Sequence, residues 1–230
     1  MEKLRVTAWL QCAVLSAPFL PIDGILQYYA MREKYGAQDL TIAGAMVDKK
    51  RWADAPLQRV DSPHGWYYAA SFAQWDTPMV TGVDYWNKRG DWDKLADLVD
   101  WGATKKVETR KGRYKAYHTA IEYRHALRVW WFVVGDRDEI ARLLRFATHI
   151  GKKSAQGWGA VLSWKVSPIR YDWSVFKDGR VMRAIPAEDA RGTGARGRVI
   201  SYGVRPSYWN RDNQVMAAAP AIDPRWEVTL

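Results

Sequence analysis

An α+β fold, alternating strands and helices around one sheet, is what this chain predicts, and three stretches carry the prediction. LRVWWFVV at 127–134 is an almost unbroken apolar run of strand length, as expected for the centre of a sheet. Asp136, followed three residues later by Glu139, then opens a helical pattern with the signature of a capping box. HIGKKSAQGWGAV at 149–161 places three glycines and two lysines between that helix and a further alternating stretch.

The elements follow in order. Leu4, Val6, Ala8 and Leu10 alternate with Arg5, Thr7 and Trp9, a half-buried strand. Pro18 and Pro21 interrupt the chain, and Asp23 is expected to cap a helix from Gly24 to about Tyr35, closed by Gly36. WYYAASFA at 66–73 reads as a strand, and 91–101 is an acidic patch open to a helical reading. After the apolar strand, Ile140, Leu143, Leu144, Ala147 and Ile150 mark one face of a helix. Beyond the glycines, Ala160, Leu162, Trp164 and Val166 alternate as a strand. The order is β-α-β-β-α-β, the ferredoxin-like (RRM-like) arrangement, with an insertion at about 74–126. The expected organisation is a domain over 1–170 and a C-terminal extension over 171–230 packed on it. That extension reads as loop-rich, with ARGTGARGRV at 190–199 mobile. The aromatic signature of standard RRM sheets is missing.

The 230 residues, 48% of them hydrophobic, supply ample material for a core. Lys and Arg exceed Asp and Glu by 35 to 25, a net charge of +10 that favours an anionic partner. No apolar run approaches the roughly 20 residues that cross a bilayer, and MEKLRVTAWLQ lacks the organisation of a signal peptide. Cys12 is the single cysteine, so no disulfide framework or thiolate metal site is expected. His64, His118, His125 and His149 show no metal-ligand spacing with carboxylates. An intracellular protein without metal or cofactor is the expectation. Most of the fourteen tryptophans are assigned to the core, whereas Trp158, between two loop glycines, invites a stacking role.

The glycine loop is not a nucleotide-hydrolase loop. That motif needs Gly, four residues, then Gly-Lys-Ser/Thr, leading from a strand into a helix. Here Lys152, Lys153 and Ser154 follow the first glycine, and the loop leaves a helix to enter a strand. Gly151 sits where a helix C-cap belongs, with Lys152 and Lys153 complementing the helix dipole. Gln156, Gly157, Trp158 and Gly159 suit the close approach of a polymer, amides and lysines on phosphates and an indole on a base. Local chemistry leaves both readings open.

A ferredoxin-like half followed by helix, the loop G-K-K-x-x-Q-G-x-G and a strand resembles the RAMP superfamily of CRISPR-associated proteins. PIDGILQYYAM, YKAYHTAIEYR, GRVMRAIP and RPSYWNRDNQV make the chain similar, more narrowly, to the small RAMP subunit of type IV CRISPR effector complexes. The resemblance implies a non-catalytic prokaryotic, cytoplasmic subunit that binds the 5′ handle of the guide RNA (crRNA). It would cap a filament of backbone RAMP subunits, beside a large subunit, an accessory helicase and target DNA. It places Gly151, Lys152, Lys153, Gln156, Gly157 and Gly159 nearest RNA, and Ser154 and Trp158 complete that loop.

A second basic constellation lies in the insertion. TKKVETRKGRYKAYH at 104–118 carries Lys105, Lys106, Arg110, Lys111, Arg113 and Lys115 against the single acid Glu108, a net +5. Tyr114 and Tyr117 interleave, as in surfaces that track a single strand. Handle-binding relatives carry a thumb-like hairpin, and this insertion is expected to play that part. Arg191, Arg196 and Arg198 are further basic candidates. The same superfamily contains metal-independent ribonucleases, so an alternative reading makes His118, with Lys115 and Tyr117, a catalytic set, and His125 with Tyr123 a second one. A third reading is a generic basic RNA-binding domain.

Overall fold

The computed structural model describes residues 1–36, 53–88, 97, 100, 102, 110 and 115–230. In chain order the elements are β1 (Glu2–Leu10), β2 (Val14–Leu15), α1 (Ile22–Tyr35), β3 (Arg59–Ser62), β4 (Gly65–Tyr68), β5 (Gln74–Trp75), β6 (Val80–Lys88) and β7 (Tyr117–His125). They continue with β8 (Arg128–Gly135), α2 (Arg137–Leu144), β9 (Val161–Pro168), β10 (Phe176–Lys177), β11 (Arg180–Val181), β12 (Ile185–Pro186), α3 (Ala187–Ala190), β13 (Arg196–Gly203), β14 (Gln214–Ala219) and β15 (Val228–Thr229). The fold is mixed α+β, mostly antiparallel sheet with few helices.

The central sheet has the order β5-β8-β1-β9, every neighbouring pair antiparallel. Alternation along β1 buries Leu4, Val6 and Ala8, and β8 adds Val129, Trp131 and Val133 to the same face. Leu26 of α1 and Ile140, Leu143 and Leu144 of α2 close that core. Each fully buried aliphatic side chain contributes roughly 1.5–3 kcal/mol. Trp131 is fully buried, and its Nε1 donates to the Leu20 carbonyl at 2.9 Å, which satisfies the polar end of the indole.

Several local expectations are corrected. Helix α1 begins at Ile22 after Pro21, and Asp23 is no cap. Its carboxylate is 1% exposed and accepts the Tyr208 hydroxyl and the Arg183 guanidinium. Asp136 does cap α2, accepting from the Asp138 and Glu139 amides, but Glu139 turns to Arg142 instead of closing a capping box. Helix α2 ends at Leu144 with Arg145 as C-cap, so Gly151 caps nothing, although Ala147 and Ile150 remain buried. Val161 pairs with Leu10 across a register shift between Trp9 and Leu10, and Leu162 is left 65% exposed. Of the expected strand at 66–73 only 66–68 is strand, as the end of β4; Ala70 and Phe72 make single bridges to Val133 and Pro21, and β5 begins beyond it at Gln74.

The C-terminal region has many loops but is more regular than the sequence suggests. It forms a six-stranded sheet of order β10-β11-β13-β14-β12, with β15 on β13. The end of the stretch at 190–199 is part of it: Arg196 and Arg198 stand on β13, where Arg196 pairs with Glu227 at 3.7 Å and Arg198 lies over Trp226. This sheet packs on the first half through Val181 and Ile185 against Tyr67, and through Ala184, Val204 and Ala217 against Phe72. Among the described residues no helix is long and apolar enough to cross a membrane.

Candidate nucleic-acid interface

The glycine loop is held by the segment that follows β1. The Lys152 amide donates to the Leu15 carbonyl at 2.7 Å and the Gly159 amide to the Ala13 carbonyl at 2.9 Å. Cys12 Sγ donates to the Gly157 carbonyl at 3.0 Å and accepts from the Ala160 amide at 3.2 Å. These contacts separate the roles of the three glycines. A Cβ on Gly159 would stand 1.9 Å from the Ile150 carbonyl oxygen, and one on Gly151 would stand 2.5 Å from that of Leu15. Both have positive φ and close backbone packing, so the fold itself requires them. Gly157, at φ +85°, has nothing within 4 Å of its Cβ position. There the bare backbone faces open space. Lys153 also adopts the left-handed region, at φ +62°, ahead of a 3₁₀ turn over Ser154–Gln156.

Strands β6 and β7 form a long hairpin, from Val80 opposite His125 to Lys88 opposite Tyr117, and β2 adds a third strand beside β7. Arg124 anchors it: one guanidinium nitrogen donates to Ser16 Oγ at 3.1 Å and to the Ala17 carbonyl at 3.0 Å. Burial lowers the Arg124 pKa, and the nearby Glu122 opposes that shift. The hairpin meets the loop through aromatic contacts. Lys153 Nζ lies 3.9 Å from the Trp86 ring centroid, and Trp158 packs 5.8 Å from Tyr123. Trp86 Nε1 in turn donates to the Tyr117 hydroxyl at 2.6 Å. Thus the glycine loop and the hairpin, separate in sequence, meet through lysine, indole and phenol.

Lys152, Ser154, Gln156 and Gly157 of the loop are exposed, Lys153 and Trp158 are half-buried against the hairpin, and Gly159 is buried. In the insertion, Arg110 and Lys115 are exposed, whereas Lys105, Lys106, Lys111, Arg113 and Tyr114 lie outside the described residues. His118 stacks on Tyr85 at 4.6 Å, with Nδ1 hydrogen-bonded to the Asn87 side chain. Tyr117 and His118 are consecutive in a strand and face opposite sides of the hairpin. The two are therefore not gathered at one site. Arg191 is exposed and pairs with Glu188 at 2.9 Å.

Beside the loop, α1 and the segment after α2 enclose a cleft of about 640 Å³, with Tyr28, Tyr29 and Phe146 as aromatic walls and Arg32, His149 and Lys152 as polar ones. Across the chain as a whole, the sequence model of the family described as CRISPR type IV associated protein Csf3 matches residues 2–220. The chain belongs to that family. Csf3 membership makes it a subunit of a type IV CRISPR complex, working with the other subunits of that complex. No curated protein matches it.

Sequence reasoning missed the residues that join the loop to the hairpin. Trp86 and Tyr85 stand in VTGVDYWNK at 80–88, a β-rich run whose branched and aromatic residues are a usable strand signal. Cys12 offered no such signal, since its partners lie 145 and 148 residues away.

Proposed function

We propose that this subunit is non-catalytic, grips the 5′ handle of the guide RNA and caps the filament of backbone subunits. The joined surface of glycine loop and hairpin carries the reading. Gly157 offers an unobstructed backbone, Lys152 an exposed cation, and Trp158, Trp86 and Tyr117 provide ring faces beside them. Phosphates bind the lysines, and bases or sugars meet the rings. The order β1, α1, β5, β8, α2, β9 with sheet order β5-β8-β1-β9 supports a ferredoxin-like RAMP core beneath that surface. The exposed Lys115 and the basic stretch that follows the hairpin strand β6 support its part as a thumb.

The test is binding and cleavage of labelled repeat RNA by the purified chain, without divalent metal, across a salt series. Lys152→Ala/Lys153→Ala weakens binding and reduces the slope of log K against log salt by about 1.4, the value for two lost single-strand phosphate contacts. His118→Ala leaves binding and RNA length unchanged. Discrete cleavage that disappears in His118→Ala overturns the non-catalytic reading in favour of a metal-independent nuclease.

A further inference from the structure

The central sheet has a second face, turned away from α1 and α2. Directly opposed strand residues share a face, so the register assigns its occupants. Arg5 stands between Ser167 and Phe132, Thr7 between Lys165 and Trp130, and Trp9 between Ser163 and Arg128, while Lys3 pairs with Val134. Strands β1, β8 and β9 thus place Lys3, Arg5 and Lys165 on this face and no carboxylate. All three cations are exposed, and among the described residues none has an ion-pair partner. The acids nearby are already engaged: Asp76 pairs with Arg128 at 2.8 Å, and Asp172 accepts from Ser174.

Aromatic rings flank the cations. Trp9 and Trp130 are half-buried, and Thr7 beside Trp130 and Lys165 is 7% exposed. The far side is bordered by Trp173, set edge-on to Phe132 at 5.1 Å, and by Tyr171 stacked on Trp173. Arg170 lies over Tyr171, and Lys177 over Trp173 at 4.8 Å. The face is also continuous with the glycine loop. The Gln11 amide donates to the carbonyl of Ala160, the residue directly after Gly159, and inward from there Leu10 pairs with Val161 and then Trp9 with Ser163.

We propose that this face is a second docking track for single-stranded RNA, with phosphates on Lys3, Arg5 and Lys165 and bases on Trp9 and Trp130. Unpaired cations without counter-charge favour a polyanion, and interleaved indoles favour unpaired bases over a duplex. The six residue steps from Trp9 to Lys3 along β1 span about 20 Å, room for several nucleotides. The occupant is the continuation of the strand held at the glycine loop, so the proposal rests on the reading of that loop.

The test compares RNAs of about 6 and about 16 nucleotides on the full chain. Arg5→Gln/Lys165→Gln is expected to weaken the longer RNA by at least about tenfold and to reduce its salt slope by about 1.4, with the shorter unchanged. Trp130→Leu is expected to weaken the longer RNA without changing the slope. Equal binding of both lengths by wild type and the Arg5/Lys165 variant overturns the track. Loss of association with other subunits and no change in RNA binding overturns it in favour of a protein interface. Lys152→Ala/Lys153→Ala separates the two readings. If it leaves both lengths unchanged while the Arg5/Lys165 variant weakens the longer, the loop reading fails and the track stands. If it weakens both while the Arg5/Lys165 variant weakens neither, the track fails and the loop reading stands.

Discussion

Replacing Arg183 with Met tests how the C-terminal sheet is fastened to the rest of the molecule. Arg183 is fully buried and Asp23 is 1% exposed. The guanidinium donates to the Val204 carbonyl at 2.6 Å, the Ala70 carbonyl at 3.0 Å, the Ala184 carbonyl at 3.2 Å and the Tyr68 carbonyl. It also reaches Asp23 Oδ2 at 3.4 Å. Met fills a comparable volume but donates nothing, so it leaves buried carbonyls unsatisfied and a buried carboxylate without its cation. Removing one partner of a buried pair typically costs about 3–5 kcal/mol. For a chain of this size each kcal/mol shifts Tm by about 2–4 °C, so the expected drop is about 6–20 °C. Denaturant unfolding gives the free energy directly, with the m-value checked for unchanged compactness. The companion Asp23→Asn/Arg183→Met is expected to cost less than the two single changes together, because the charge that Met strands is gone. A loss under about 1 kcal/mol for Arg183→Met, or strict additivity of the pair, would refute the reasoning.

The loop glycines and a buried phenol yield two further expectations. Gly159→Ala forces a Cβ into the Ile150 carbonyl, 1.9 Å away, and is expected to cost more than about 3 kcal/mol, whereas Gly157→Ala meets open space and costs about 1–2 kcal/mol for its left-handed φ. Equal losses in thermal unfolding would contradict this division, and the Gly157 variant is expected to show the larger effect on RNA affinity per unit of stability lost. Burial pushes the Tyr202 phenol up to about 12, with Asp23 adding to the shift and Arg183 opposing it. A folded pKa above the unfolded value of about 10 means that this stabilisation is complete below pH 10 and lost as pH rises from about 10 to 12. Tyr202→Phe should therefore flatten the alkaline fall in stability, and an unchanged alkaline slope would sink the assignment.

Much of the central sheet was legible because its signals are short-range. The alternation in β1, the apolar run of β8 and the Asp136 cap each span a few residues, and a periodicity within one element needs no knowledge of the partner. Asp23 shows where that reasoning fails. A carboxylate after a proline break has the local look of a cap, but a guanidinium 160 residues later takes it into the interior. The glycine loop was likewise recognised by its composition, yet the sequence could not divide its glycines. Gly151 and Gly159 are bare because the Leu15 and Ile150 carbonyls press on them, and Gly157 because of its turn alone.

By itself the sequence determined the basic balance, the strand or helix type of β1, α1, β8, α2 and β9, the chemistry available to the loop, and the resemblance that family membership later supported. The tertiary structure decided which of those groups meet. It set Lys153 on Trp86 and Trp158 on Tyr123, built a sheet from the stretch that reads as loop, and turned Lys3, Arg5 and Lys165 to one face. The difference is physical. Periodicity and capping are written in the few residues that make them, whereas a shared face or a buried ion pair exists only once distant segments have closed on each other, against an entropy that no local pattern records.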